Sequence, residues 1–325
     1  MSSVDNLYPY PHPSVVAAFQ GRTVLVTGAA GSIGAELARQ VSALPIGRLL
    51  LLDRDENSMF DLMRSFEGTS QGRGESFPEI IAVVGDIRDQ QLIRHTFARW
   101  PPDIVLHAAA YKHVSMMEAN PCEAVLNNVT GTRIVADAAI EFHCERVLLI
   151  SSDKAVQPVS VMGATKRLAE LVVQARASFA STTRPAAPSP GRNLSAKKPV
   201  VMASVRFVNV IGSRGSVLPI FREQIDAGGP VTITDERMTR FFMPVKRAVS
   251  LLLEAATLND SGSIYALETG QPINIMALAR DMIEAAGLVP GNDIAIEITG
   301  IRPGERLHER LHSDNETLVP TAFPG

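Results

Sequence analysis

Aromatic residues make up only 5% of the 325 residues, with a single tryptophan, and there are just two cysteines. So few cysteines exclude a disulfide framework, and Cys122 and Cys144, in segments that read as helix and helix end, are expected as reduced thiols. No apolar run reaches the ~18 residues of a membrane span. The first twenty residues carry three prolines, Asp5 and two tyrosines but neither a basic leader nor a long apolar stretch, so a cytoplasmic protein is expected. Charge of one sign is missing too. A formal charge of −3, with both signs mixed throughout, gives no footprint for wrapping nucleic acid or coating a membrane surface. Small anionic ligands need only local arginines. No metal site is expected.

What is present is ample apolar content, 46% of residues, enough for one large α/β domain with a smaller lobe. Short β-branched or leucine-rich runs (22–27, 48–52, 80–84, 103–107, 146–150) alternate with helical patterns (31–41, 56–66, 89–98, a long helix from 121, 162–177). Alternation of this kind predicts a Rossmann-type doubly wound parallel sheet covered on both faces. In Asn120-Pro121-Cys122-Glu123 a capping side chain, a first-turn proline and a glutamate predict a helix start. Residues 1–20 read as an N-terminal extension, 21–207 as the dinucleotide-binding domain, and 178–198, rich in Ser, Thr, Ala, Pro and Gly, as a flexible loop. Residues 208–325 read mainly as a smaller C-terminal lobe closing over the strand ends, with some segments returning to the first domain.

Thr27-Gly-Ala-Ala-Gly-Ser-Ile-Gly34 puts glycines at 28, 31 and 34 between a strand and a helix, where backbone amides can approach a pyrophosphate. Ser32 and Ile33 sit in the same turn. Asp53, at the end of the second strand, is placed to accept hydrogen bonds from the adenosine ribose and to repel a 2′-phosphate, favouring NAD over NADP. Arg54 reads either as an exposed charge or as a cation stacked on adenine. Asp86 and Ile87 would edge the adenine, and Ala108, Ala109 and Ala110 remove bulk where the cofactor backbone could lie.

Together with this glycine motif, His107–Val114 (HAAAYKHV), Asn127–Thr132 (NNVTGT), Ser151–Ala155 (SSDKA), Met162–Arg167 (MGATKR) and Arg302–Arg306 (RPGER) resemble the extended short-chain dehydrogenase/reductase superfamily. More narrowly, they resemble its UDP-N-acetylglucosamine 4,6-dehydratases of the capsular polysaccharide biosynthesis type. The superfamily's Tyr-x-x-x-Lys is Met162-x-x-x-Lys166 here, and a thioether cannot take a hydroxyl proton. The resemblance implies C4 oxidation, loss of water across C5 and C6, and C6 reduction. Lys154, if neutral through burial and neighbouring charge, would be the C5 base, and Asp153 the acid that releases the C6 hydroxyl. Ser152 would bond O4, and Lys166 would hold the nicotinamide ribose.

The resemblance also implies that Arg240, Asn209, Arg302 and Glu305 grip a UDP-sugar diphosphate or ribose, that Ser216 and Val217 lie along the nucleotide, and that Lys112 and His113 line the sugar pocket. Val208 stands where the family has glycine, the 178–198 segment is longer, and the membrane-spanning region of larger relatives is missing. A homodimer paired through the helices beside the active site, or a higher homo-oligomer, is implied. A C4 epimerase or reductase on a similar nucleotide sugar is a second reading, and a non-catalytic NAD-binding sensor a third.

Overall fold

The computed structural model describes residues 11–70, 77–182, 198–213, 215–323 and 325. The chain opens with α1 (Pro13–Phe19), β1 (Thr23–Thr27), α2 (Ser32–Ser42), β2 (Arg48–Asp53), α3 (Glu56–Ser70), β3 (Glu79–Val84), α4 (Gln90–Arg99) and β4 (Ile104–His107). Then come α5 (Val114–Ala119), α6 (Pro121–Val125), a π-helical stretch (Leu126–Gly131), α7 (Thr132–Glu141), β5 (Arg146–Ile150), α8 (Val161–Thr182) and β6 (Val201–Arg206). The remainder comprises β7 (Asn209–Ile211), α9 (Val217–Asp226), β8 (Val231–Ile233), β9 (Thr239–Arg240), β10 (Phe242–Pro244), α10 (Val245–Ala255), β11 (Ile264–Ala266), β12 (Ile273–Asn274), α11 (Ile275–Ala285) and β13 (Ile296–Ile298).

Seven strands form one parallel sheet in the order β3-β2-β1-β4-β5-β6-β11. Period-two alternation sends neighbouring side chains to opposite faces. Val24 and Val26, Leu49 and Leu51, and Ile104 and Leu106 join one apolar cluster with α1, α2 and α10. Leu25, Leu50, Leu52 and Val105 join another with α4, α7 and α8. Both faces are therefore dry, which is why the strands read as continuous apolar runs. A third cluster, built on Phe221, Ile225, Ile233, Ala279 and Ile283, lies among α9, α11 and β8. The pairs β7–β10 and β8–β13 are parallel, and β9–β12 is antiparallel.

Three local expectations need correction. The N-terminal extension contains a docked helix, because Val15 and Phe19 are fully buried in the first cluster; residues 1–10 lie outside the described residues. The flexible loop expected from 178 begins no earlier than the end of α8 at Thr182, since Ala177 and Ala180 remain buried on its inner face; residues 183–197 of that expectation lie outside the described residues. The long helix from 121 runs on without a break through α6, the π-helical stretch and α7, but Asn120 makes no capping bond: its Nδ2 turns back to donate to the Met116 carbonyl, 2.9 Å away.

Candidate active site

Strand order reverses at β1, whose neighbours β2 and β4 are reached by crossovers in opposite directions, and open α/β sheets bind ligands at such a point. A cleft of about 280 Å³ lies there. Its floor requires glycine. Gly28 has φ +67°, and a Cβ on it would stand 2.6 Å from the Ala109 amide nitrogen; one on Gly34 would stand 2.0 Å from the Gly28 carbonyl oxygen. Loop, helix α2 and the Ala108–Ala110 backbone thus close on one another with no room for side chains. Gly28, Gly31, Ala108, Ala109 and Ala110 line the cleft, whereas Ser32, Ile33 and Gly34 lie beneath it in the first turn of α2.

At the cleft's far end Asp53 accepts hydrogen bonds from the Ala30 and Asp55 amides, at 2.9 and 3.0 Å. A carboxylate has further lone pairs, so it still has acceptor capacity toward a ribose. Asp86 also lines the cleft, but Arg88 donates to it through its amide, Nε and Nη2, and these bonds outweigh burial to hold its pKa below the usual carboxylate value. Ile87 lines the cleft as well, 3% exposed and packed against Gly131. Arg54 lies over the Tyr111 ring at 4.4 Å, donates to its hydroxyl, and is 3.8 Å from Asp86. Its cation is engaged by Tyr111 and Asp86, a placement that neither sequence reading foresaw.

The loop after β4 divides two cavities: Tyr111 faces the first and Lys112 a second of about 260 Å³. Lys112, Lys154, Arg240, Arg302 and Arg306 bring more positive than negative charge to this second wall, against Glu305 and Glu309, and His113 lines it as well. Burial pushes the Lys112 and His113 pKa values down, and the Lys112 charge lowers His113 further. Arg240 is constrained: its guanidinium donates to the carbonyls of Thr239, Arg306 and Leu307. Asn209 does not line the wall; it donates to the Phe241 carbonyl and lies 3.4 Å from Lys154 Nζ. Ser216 and Val217, at the start of α9, are outside the wall, and Val217 packs against the third cluster. Val208, buried in the first cluster, occupies the position of the family's glycine.

Between the cavities, β5 ends in Ser151 and a single 3₁₀ turn that carries Asp153 and Lys154. Asp153 is 1% exposed. Its Oδ1 accepts from Ser152 Oγ at 2.9 Å and Lys154 Nζ at 3.0 Å, while its Oδ2 is buried with no partner among the described residues. Lys154 reaches the second cavity and Asp153 lies behind it. Lys154 corrects an expectation. Burial alone would lower its pKa, but Asp153 and, 3.5 Å away, Glu309 outweigh burial and hold it above the ordinary lysine value. Without ligand it is an ammonium.

Lys166 is buried and donates to the Ile150 carbonyl at 2.6 Å; burial drives its pKa down to about 8, with Glu170 opposing the shift. Met162 lines neither cavity. It is 2% exposed and packed with Met117, Ala124 and Tyr111, so its thioether fills space beside the site.

Asn128 lies in the 127–132 motif but receives no role from the sequence, and two further contributors, Glu170 and Glu309, have no local signal in it. The widened π-helical turn lets Asn128 bond the Tyr111 backbone through both its donor and its acceptor and also reach Thr165 Oγ1. Behind Ser151, Glu170 accepts from Ser151 Oγ, Arg206 and Arg167. Glu309 arrives from about 155 residues beyond Lys154. Only pairing in space identifies these three.

A family model described as "Polysaccharide biosynthesis protein" matches residues 24–325. The chain is 42% identical over 295 residues to the capsular polysaccharide biosynthesis protein CapD of Staphylococcus aureus, covering 91% of this chain and 46% of that protein. It therefore spans about half the length of that relative. It is 30% identical over 307 residues to a UDP-N-acetylglucosamine 4,6-dehydratase (inverting) of Campylobacter jejuni, covering 94% of this chain and 81% of the other. To a UDP-glucose 4-epimerase of Rickettsia massiliae it is 33% identical over 304 residues, covering 92% and 80%. The crystal structure of Pen from Bacillus thuringiensis superposes with a TM-score of 0.78 at 32% identity, covering 90% of this chain and 84% of that one.

Proposed function

Because the chain belongs to the polysaccharide biosynthesis protein family, a nucleotide-sugar dehydratase and epimerase group with the extended short-chain dehydrogenase/reductase fold, we propose that it is an NAD-dependent 4,6-dehydratase of UDP-N-acetylglucosamine. The observation that carries this reading is the adjacent Asp153 and Lys154 at the end of β5, with one carboxylate oxygen buried and unpartnered. With Met162 in place of the tyrosine, Asp153 can take over the hydroxyl proton, and Lys154 adds a base that plain hydride transfer does not need. Buried polar atoms are ordinarily satisfied, so a lone carboxylate oxygen in a site is an acceptor awaiting a ligand hydroxyl.

NAD fits the glycine-floored cleft, where Asp53 favours a free ribose, and when bound it would supply hydride acceptance and return. Asp153 takes the O4 proton, the part that tyrosine plays elsewhere and Met162 cannot. The ketone formed at C4 acidifies the C5 proton, which Lys154 removes after first releasing its own extra proton to solvent. Asp153 then gives its proton to the departing C6 hydroxyl, which leaves as water, and Lys154 returns a proton to C5 as C6 is reduced. Ser152, bonded to Asp153, orients that carboxyl, and Lys166 is placed to hold the nicotinamide ribose. The cationic wall of the second cavity, with Arg302, Lys112 and His113, receives the diphosphate and sugar. For the domains, we read residues 21–207 as the cofactor part and 208–325 mainly as the substrate part.

Incubation with UDP-N-acetylglucosamine in deuterated water tests this reading. The product should have lost one water and should carry deuterium at C5. Asp153→Asn and Lys154→Ala should each abolish product without loss of NAD binding. Unchanged turnover in both variants removes the mechanism. The likeness to the Rickettsia epimerase supports C4 epimerisation as a second reading, and a product of unchanged mass would establish it.

A further inference from the structure

Lys154 is surrounded by more negative charge than its immediate partner provides. Its Nζ is 3.0 Å from Asp153 Oδ1, 3.4 Å from Asn209 Oδ1 and 3.5 Å from Glu309 Oε1. The Glu309 side chain is only 5% exposed, so solvent does little to screen it. Its other cationic neighbour, Arg240 Nε, is farther away at 3.8 Å, and the two Nη groups of that arginine are already bonded to three backbone carbonyls. Lys154, Asp153, Glu309 and Arg240 form a neutral quartet drawn from β5's end, β9 and the C-terminal segment. The other charged groups facing this cavity are Lys112, His113, Arg302, Glu305 and Arg306.

A base must be neutral before it can accept a proton. Of the two carboxylates beside Lys154, Asp153 has an acid–base part in the proposed reaction and Glu309 has none. Glu309 also has little other purpose where it stands, since a carboxylate buried mainly to neutralise Arg240 would gain by bonding the guanidinium at hydrogen-bond distance. We propose that Glu309 is a positioning residue that fixes the orientation of the Lys154 amine and keeps it protonated until substrate is bound. It sits seven residues beyond Arg302, on a segment tied to β9 by the Thr239 amide bond to the Leu307 carbonyl. The segment that offers Arg302 to a ligand therefore also carries the group that governs the amine.

The inference rests on Lys154 acting as the C5 base, and its test is divided so that the two can fail separately. Competitive acetylation with acetic anhydride across pH 7 to 10, read by mass spectrometry, reports the free-amine fraction of Lys154 in the NAD-loaded protein without any turnover. An opposite charge at this range shifts a pKa by about 1–3 units, so Glu309→Gln should raise Lys154 labelling about tenfold or more at a given pH, and Glu309→Asp should restore most of the native profile. No rise in Glu309→Gln, or a rise shared equally by the buried Lys166 and so caused by local opening, overturns the inference. The acidic limb of the kcat/KM profile should move to lower pH in the same variant, and an unmoved limb beside altered labelling would count against Lys154 as the base and leave Glu309's hold on the amine established.

Discussion

Replacing Glu170 with alanine should destabilise the protein more than any exposed substitution on α8. Glu170 is completely buried and accepts from Ser151 Oγ at 2.6 Å, from Arg206 Nε and Nη2 at 2.9 Å each, and from Arg167 at 2.8 Å. Removing one partner of a buried ion pair costs about 3–5 kcal/mol, because the other charge is left without compensation. Arg206, 3% exposed, would keep Glu316, which bonds its Nη1 and Nη2 at 2.7 and 2.9 Å, so the lower end of that range applies. At about 2.1 cal/mol/K per residue, a chain of 325 residues has an unfolding entropy of about 0.7 kcal/mol/K, so a loss of ~3 kcal/mol predicts a fall in Tm of about 4–5 °C. Glu170→Gln keeps the shape and one acceptor but loses the charge, and should fall between alanine and the native chain. Scanning calorimetry at a fixed scan rate measures both. A fall of less than about 2 °C for the alanine variant would refute the claim that this carboxylate is the counter-charge of Arg206.

Two further perturbations follow from the same geometry. His107 is buried between Thr27 Oγ1 and Thr132 Oγ1, and because Thr132 already donates to the Asn128 carbonyl, the ring donates from Nε2 and accepts at Nδ1. Burial, reinforced by Lys166, lowers its pKa to about 3 from 6.5, so between those values the unfolded chain binds a proton that the folded one refuses. Its stabilisation is complete above pH 6.5 and is lost as pH falls toward 3; between pH 6.5 and 4.5 that is about 2–3 kcal/mol. Denaturation midpoints for His107→Gln should decline less steeply over that window, and parallel declines would show that His107 is not responsible. Gly34→Ala drives a Cβ to 2.0 Å from the Gly28 carbonyl, a backbone atom that cannot swing aside, so the glycine loop must move. NAD affinity measured by calorimetry should drop at least about tenfold, and an unchanged Kd would mean that the loop does not carry the pyrophosphate.

Local physics explains what the sequence disclosed. Strand-length apolar runs separated by helical periodicity are enough for a parallel sheet, because both its faces must be dry, and the glycine spacing marks β1 and α2 because only glycine fits where loop, helix and Ala109 meet. The acid and amine pair was visible as adjacent letters. What stayed hidden depends on distance along the chain. The sequence makes Lys154 a base only on condition that burial and neighbouring charge leave it neutral; no pattern near residue 154 announces a carboxylate at 309, and Asp153 and Glu309 together outweigh burial and raise the amine's pKa. Arg54 was left open between solvent and adenine, yet Tyr111, from the loop after β4, claims its face.

The same limitation explains α1 and Asn120. A helix seven residues long is marginal by propensity and exists here because Val15 and Phe19 have a core to enter. Asn120 has a capping residue's chemistry, but its Nδ2 donates to the Met116 carbonyl, one turn earlier, and its Oδ1 accepts from no α6 amide. Adjacent residues thus set which groups the site contains, and distant ones set their charge and direction. For a base that must change protonation during its reaction, that second set decides when it can act, and a lysine gripped by its neighbour Asp153 and by Glu309 from a remote segment is ready only after ligand or cofactor has disturbed that grip.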